Sequence, residues 1–519
     1  MELGADRASQ MNPYRPVPVP RGEAKSMKVL YAASELFPLA KTGGLADVAA
    51  ALPSALARLG ADVRLVLPGY PSAIEKAQHL REAVPAGMLP HAPDARVLAT
   101  VTPHTGLPLW IVDCPSLFGR SGGLYQDEEG HEWPDNAARF ALFSHAAATI
   151  ATELWNPDVV HANDWHAGLV PLLLQNRADR RPGTVFTIHN LAYQGLFPSD
   201  VLGELDLPDH AYEAMEFHGR VSFLKAGLSS ADLLTTVSPN YATEIIGEEF
   251  GCGFQGLLAH RRERLSGIMN GADYGVWDPR TDLHLPRAYG PGKMAGKRMA
   301  KLAVQEMLGL PVDEEVPVLA FLSRLDHQKM PDVVAEALPA LLEDGVQFLM
   351  AAEGQGQFEE RFRELAAQFP AQVAIRHYSE ALAHRVLAAA DILLHPARYE
   401  PCGLVPIYAM RYGTIPVVRR IGGMVDSVTE VTASTLQSNS ATGFFFEEPN
   451  AAALLEATRR ALSYFGQPII WRKIQRAAVG QDFSWTRSAQ AYLELYRSLR
   501  DGTDAPAEAA DASTKALTA

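Results

Sequence analysis

The chain has 519 residues, 47% of them hydrophobic, and its 46 Lys and Arg stand against 60 Asp and Glu for a formal net charge of -14. Such a length predicts two to four domains with ample apolar material for cores, and the acidic balance has the wrong sign for a protein that coats nucleic acid or anionic lipid. No apolar stretch reaches the roughly 18 to 20 residues of a membrane span, and Cys114, Cys252 and Cys402 suit neither a disulfide framework nor a zinc spacing, so a reducing cytoplasm fits the composition.

Residues 1–26 carry Pro13, Pro16, Pro18 and Pro20 among mixed charges, with no apolar run long enough for the core of a signal peptide, and read as a flexible extension. Beyond them, short β-branched runs alternate with amphipathic Ala/Leu segments, the pattern of parallel strands joined by crossover helices. KVLYAAS (28–34), DVRLVLP (62–68), DVVHAND (158–164), TVFTIHN (184–190) and DLLTTVS (232–238) read as strands, with a hairpin insertion over about 95–130. The stretch 271–293, rich in Gly, Pro and Asp and lacking either period, is the linker candidate. A second rhythm follows: PVLAFLSRL (317–325), VQFLMAAEG (346–354), QVAIRHY (372–378), DILLHPA (391–397), TIPVVRR (414–420) and GFFFEE (443–448). The tail 503–519 is small and polar, so disorder is expected there. The fold class is therefore α/β, two doubly wound domains spanning 27–290 and 291–485, with a ligand expected where strands end at their carboxyl ends.

The residues that suggest chemistry sit just after predicted strands. Lys41-Thr42-Gly43-Gly44 opens a helix, where glycines permit close approach and the first amides favour a phosphate beside the lysine charge; an ordinary tight turn would read the same way. Arg324 and Lys329 lie five apart across a strand-to-helix turn, so a forked donor and an ammonium can converge on one diphosphate, or stand as solvated surface cations. Glu400-Pro401-Cys402-Gly403-Leu404 places a carboxylate before an apolar helix, which suits a polyol phosphate ester or else a capping glutamate, and Gly422-Gly423 follows. His161, Asp164, His166 and His189 follow strands without the helical pairing of a metalloprotease. No metal is expected; His161 and His166 read as histidines satisfied by backbone, and His189 as the functional one. Neither dinucleotide fingerprint, nor P-loop, nor nucleophile elbow occurs, and no cofactor is implied.

Taken together, KTGGLADVAAALP, HANDWHAGLVP, TIHNLAYQGLFP, IMNGADYGVWDP, SRLDHQK, EPCGL and RYGTIPVVRRIGGMVDSV resemble, in order and spacing, the bacterial glycogen synthase and plant starch synthase family of retaining glucosyltransferases over roughly residues 27–500. The resemblance implies two Rossmann-like domains facing across a cleft (GT-B type) and a last helix over 486–502 crossing back to the first. It further implies an ADP-glucose donor held by the second domain, and an α-1,4-glucan acceptor held by the first and lengthened at its non-reducing end. By position, Lys41, Gly43 and Gly44 would face the diphosphate, Arg324 and Lys329 would neutralise it, and Glu400 would contact the glucose hydroxyls. His189 would lie by the sugar with Asp164 and Asn270 near, and Tyr378 would stack on adenine. Cys402, Gly403, Leu404, Gly422 and Gly423 would line the donor site, with Asp135, Asn136 and Arg139 as weaker acceptor-side candidates.

No carboxylate pair suited to double displacement stands out, so retention would be front-face, the departing diphosphate helping to deprotonate the acceptor hydroxyl. The chain departs from the family at Val405-Pro406, where Thr-Gln is common, and has Ile407 where many such transferases carry a second glutamate. Two other readings therefore stand beside a glucan synthase: a transferase using a small acceptor such as glucose 1-phosphate, and a catalytically weak polyglucan-binding regulatory protein.

Overall fold

A computed structural model describes residues 26–89, 92–175, 181–208 and 210–502. The extension expected before residue 26 and the tail expected over 503–519 lie outside the described residues. Residues up to Gly271, together with those from Trp485 onward, form one compact unit, and Ala272–Ser484 forms the other.

The first unit contains β1 (Lys28–Ala32), β2 (Asp62–Pro68), β3 (Arg81–Val84), β4 (Arg96–Val101), β5 (Pro108–Asp113), β6 (Val159–Asn163), β7 (Gly183–Ile188), β8 (Leu196–Pro198), β9 (Glu216–Phe217), β10 (Arg220–Ser222), β11 (Leu233–Thr236) and β12 (Leu265–Gly267). Nine of these pair in the order β12-β11-β7-β6-β1-β2-β5-β4-β3, and β8, β10 and β9 make a small separate sheet. The pairing is parallel from β12 to β5 and antiparallel beyond. The hairpin expected near 95–130 is thus β4 and β5, which extend one edge of the main sheet. Central strands such as VLYA and VVHAN are buried throughout, because helices cover both faces of a parallel sheet and leave no polar alternation. The last helix, Trp485–Asp501, belongs to this unit: Tyr496 Oη lies 2.7 Å from His161 Nδ1, and Ser488 Oγ donates to the Met269 carbonyl at 2.6 Å.

In the second unit β13 (Val318–Leu325), β14 (Gln347–Gly354), β15 (Val373–Arg376), β16 (Ile392–His395), β17 (Ile415–Arg419) and β18 (Phe444–Phe446) pair in parallel in the order β15-β14-β13-β16-β17-β18. The boundary between units falls at Gly271–Ala272, not near residue 290, and the stretch expected as a linker is built into the second unit. Asp278 accepts from Arg411 at 2.6 Å, and Asp282 accepts from Tyr412 Oη at 2.5 Å and lies 2.7 Å from His384 Nδ1. Trp277 stacks between His384 (3.9 Å) and Tyr408 (4.5 Å). Anchoring by buried charge pairs and ring stacking follows neither the helical nor the strand period, which is why the stretch looks like a linker in sequence. No helix among the described residues is long and apolar enough to cross a membrane, and the three cysteines are free thiols.

Candidate active site

The main sheet of each unit has a point where neighbouring strands send their following loops apart, and such a point is where open α/β sheets take ligands. In the second unit it lies between β13 and β16, and the motif residues occupy both loops. The two loops are tied together: Arg398 N–H donates to the Gln328 carbonyl at 2.8 Å, Gln328 Nε2 to the Tyr399 carbonyl at 3.1 Å, and Arg398 Nη1 to the His327 carbonyl at 2.6 Å. This scaffold brings Lys329 Nζ onto Glu400 Oε2, and His395 Nε2 lies 3.1 Å from that same oxygen. Burial alone would push the Glu400 carboxyl up, but the Lys329 ammonium and then His395 outweigh it and hold it at about 2. Glu400 is therefore a carboxylate that accepts hydrogen bonds, not a proton donor.

The two cations differ in setting. Lys329 is largely buried against Glu400, whereas the Arg324 side chain is 53% exposed and 3.3 Å from Asp326, whose carboxylate also accepts from the Lys329 backbone N–H. Glu400 caps no helix: Leu404–Arg411 starts at Gly403 (φ 79°) without a side-chain cap. Cys402 is buried beside it, and Pro406 lies in that helix's first turn, where no intrahelical N–H bond is lost.

Gly422 and Gly423, expected to line a sugar pocket, are required as glycines by backbone packing. A Cβ on Gly422 (φ 47°) would fall 1.8 Å from the Glu400 carbonyl oxygen, and one on Gly423 would fall 2.1 Å from that of Cys402. Tyr378 lies in the turn after β15, 43% exposed.

In the first unit the corresponding point lies between β1 and β6. Here the structure adds a residue that motif reading missed, Glu35. Its carboxylate is buried and accepts from Thr42 N–H (2.8 Å), Thr42 Oγ1 (2.6 Å), Gly43 N–H (3.0 Å) and Tyr125 Oη (3.0 Å). Two amides expected to face a phosphate are thus spent on Glu35, which leaves the Gly44 end of the loop, where the helix Gly44–Arg58 begins. Lys41 Nζ lies 2.9 Å from Asp47 and 5.2 Å over the Phe37 ring. Gly43 has an extended φ of -151° and open space where a Cβ would sit, so nothing in the chain's own packing demands a glycine. The only sequence signal for Glu35 is an acidic residue just past an apolar strand.

Asp164 follows β6 with φ 54° and ψ -179°, a conformation costly for any residue but glycine. It is held there by its N–H on the Thr187 carbonyl (3.0 Å) and by its carboxylate, which accepts the His189 N–H at 2.7 Å. His189 Nε2 lies 2.9 Å from Asn163 Oδ1, which also accepts from Tyr31 Oη at 3.1 Å, while Asn163 Nδ2 donates to the Ala32 carbonyl at 3.0 Å. That orientation makes His189 the donor through Nε2 and leaves Nδ1 as an acceptor; burial depresses its pKa, so the ring is neutral. Asn270 is buried just beyond β12, its N–H on the Val237 carbonyl at 3.3 Å, at the sheet edge remote from the Lys41 loop.

The other histidines depart from expectation. His161 is satisfied by side chains, Tyr496 Oη and Thr187 Oγ1 (2.6 Å), not by backbone, because the last helix delivers a tyrosine to it. Neither ring nitrogen of His166 has a hydrogen-bond partner among the described residues, and its ring stacks on Tyr125 (4.3 Å) and Trp165 (3.9 Å). Arg139 donates to the Leu117 and Leu124 carbonyls at 3.0 Å each, Asn136 to the Tyr125 carbonyl at 3.0 Å, and Asp135 pairs with Arg120, so these three hold the 117–125 loop. Among the described residues no group of three His, Cys, Asp or Glu is arranged to hold a metal ion.

Burial, outweighing two backbone N–H bonds, raises the Asp164 carboxyl from 3.8 to about 7. The folded state therefore binds this proton more tightly than the unfolded chain, and stability falls as pH rises through that window. Asp164→Asn keeps an acceptor for the His189 N–H and removes the titration. It is expected to be more stable than wild type at pH 8, by about 2 to 4 kcal/mol, and to lose that margin at pH 4. Thermal melts at both pH values check this; equal margins at the two would refute it.

Residues 28–260 match the family model described as starch synthase catalytic domain, and residues 307–465 match that of glycosyl transferases group 1. The glycogen synthase of Paramagnetospirillum magneticum is 49% identical over 486 residues, an overlap of 91% of this chain and 98% of that protein. The chain belongs to the glycogen synthase family. A second family member, the glycogen synthase of Burkholderia thailandensis, is 49% identical over 480 residues, covering 91% of this chain and 90% of that one. Among solved structures, the catalytic domain of starch synthase IV from Arabidopsis thaliana, bound to ADP and acarbose, matches with a TM-score of 0.83 and 30% identity, covering 92% of this chain and all of that domain. This glycogen synthase family member is thus a glycosyltransferase with two α/β units of the GT-B type, as its motifs led one to expect.

Proposed function

We propose that the enzyme transfers glucose from ADP-glucose to the non-reducing end of an α-1,4-glucan with retention of configuration, in the cytoplasm. The observation that carries this reading is the largely buried Lys329–Glu400 pair at the point where β13 and β16 diverge, with Arg324 at the end of β13. An ionised carboxylate there accepts from sugar hydroxyls, and Lys329 and Arg324 supply positive charge for a diphosphate. Cleavage of the anomeric C–O bond leaves negative charge on the departing oxygen, so fixed positive charge at that oxygen lowers the barrier more than it favours the ground state. A half-exposed Tyr378 offers a ring to adenine, in keeping with the ADP named for the starch synthase domain.

In the first unit, neutral His189 with its free acceptor nitrogen, Asp164, and the bare Gly43 loop with Lys41 serve the reacting sugar and the phosphates. Glu400 is already ionised and hydrogen-bonded to a cation, which suits hydroxyl binding better than attack on the anomeric carbon. Displacement is therefore front-face, without a glucosyl-enzyme. Val405-Pro406 leaves the start of the helix Leu404–Arg411 intact, so this departure does not disturb the backbone that follows Glu400.

One experiment separates the readings: radiolabelled ADP-glucose or UDP-glucose is offered with glycogen or with glucose 1-phosphate, and the protein is then weighed intact. ADP-glucose with glycogen is expected to give α-1,4-extended chains, with no adduct on the protein. Product only with glucose 1-phosphate, no product at all, or a hexose adduct on a carboxylate would each sink the proposal.

A further inference from the structure

Strand β16 reads Ile392-Leu393-Leu394-His395, apolar except for its last residue, and all four are buried. A histidine kept there for packing alone would carry a desolvation penalty that leucine or valine avoids. His395 makes one hydrogen bond, Nε2 to Glu400 Oε2 at 3.1 Å, and its Nδ1 is buried without a partner among the described residues. The ring's polarity is thus spent entirely on Glu400. Because Glu400 is ionised it can only accept, so His395 donates through Nε2–H. Lys329 and His395 converge on the same oxygen, Oε2, which leaves Oε1 for another donor.

We propose that His395 is a positioning residue for Glu400. It pins Oε2 from the end of a rigid strand, so that Oε1 stays turned to the donor sugar when Lys329 is drawn toward the diphosphate. The inference rests on the reading that Glu400 contacts that sugar. Its physical basis is the difference between the two donors. Lys329 is a point charge on a flexible stem that a diphosphate competes for, whereas His395 has two side-chain torsions and a ring clamped by core. Without it, a Glu400 that lost its ammonium to the diphosphate would swing to find another donor, and a misplacement of about 1 Å suffices to cost catalysis.

The test compares His395→Met with His395→Gln, two side chains of similar length of which only glutamine has an N–H to offer, alongside Glu400→Ala, in the full chain. At saturating ADP-glucose, His395→Met is expected to lower kcat about tenfold, with the glycogen KM within about twofold of wild type, while His395→Gln recovers at least about a third of wild-type kcat. Melting temperatures establish that both variants fold. If His395→Gln is no faster than a folded His395→Met, or if His395→Met keeps wild-type kcat while Glu400→Ala does not, the inference is overturned and the Glu400 reading survives. If Glu400→Ala itself keeps wild-type kcat, the reading beneath it is what has failed.

Discussion

Lys329→Ala is expected to lower turnover by about 10² to 10³-fold and, unlike Arg324→Ala, to destabilise the protein as well. A preorganised donor aimed at developing charge is typically worth about 3 to 4 kcal/mol of barrier, so both alanine variants are expected to lose rate to a similar degree. They part on stability. Lys329 is largely buried on Glu400, and its removal leaves an inward-facing carboxylate held by His395 alone among the ion pairs of the described residues. Stripping one partner from such a pair costs about 3 kcal/mol or more. Arg324 is half exposed, and its contact with Asp326 lies where solvent screens it, so its loss should leave the melting temperature nearly unchanged. Initial rates at saturating glycogen, together with melts, check both halves. Near-native turnover in the two variants would remove these cations from the chemistry; equal melting temperatures would mean that the Lys329–Glu400 pair contributes nothing to the fold.

Gly422→Ala is expected to cripple the second unit, whereas Gly43→Ala is expected to change only kinetics. A methyl on Gly422 would overlap the Glu400 carbonyl oxygen at 1.8 Å, and its φ of 47° is strained for alanine, so the 422–427 turn must lift off the 400–402 backbone. Overpacking together with an unfavourable φ costs about 3 kcal/mol or more, a fall of roughly 6 to 12 °C for a unit of this size, and activity goes with it because the displaced backbone carries Glu400. At Gly43 a methyl meets nothing and the φ suits alanine, so the melting temperature should hold. The donor KM should nevertheless rise, because the methyl projects from the bare surface of the Lys41 loop. Melts and donor KM on the two variants decide it. A stable Gly422→Ala would contradict the packing, and a kinetically silent Gly43→Ala would mean that the loop faces no ligand.

These cases show why only part of the candidate site could be read from residue order. Arg324, Lys329 and Glu400 were legible because each follows an apolar run at a recognisable spacing. Glu35 and His395 were not, because each is a single polar residue at a strand end whose partners depend on how the loop that follows folds back. His395 meets Glu400 where the loop after β16 returns over the strand end, and Glu35 meets the amides of Thr42 and Gly43 where the Lys41 loop folds back over the end of β1. The same limit explains His161, whose partner Tyr496 arrives from 335 residues away. It also explains the stretch 272–293, whose anchors are ring stacks and buried charge pairs without a period.

By itself, the sequence determined the α/β class, most of the parallel strands and the family. Helices on both faces of a sheet turn each strand into a continuous apolar run, and chemistry in such folds gathers in the loops just after those runs. Only the tertiary structure decided what each group is for. Gly43 and Gly422 are the same letter, yet one has open space where a Cβ would sit while the other is wedged against a neighbouring backbone. Clearance, burial and shared hydrogen-bond partners are properties of segments brought together in space, and no local pattern of residues encodes them.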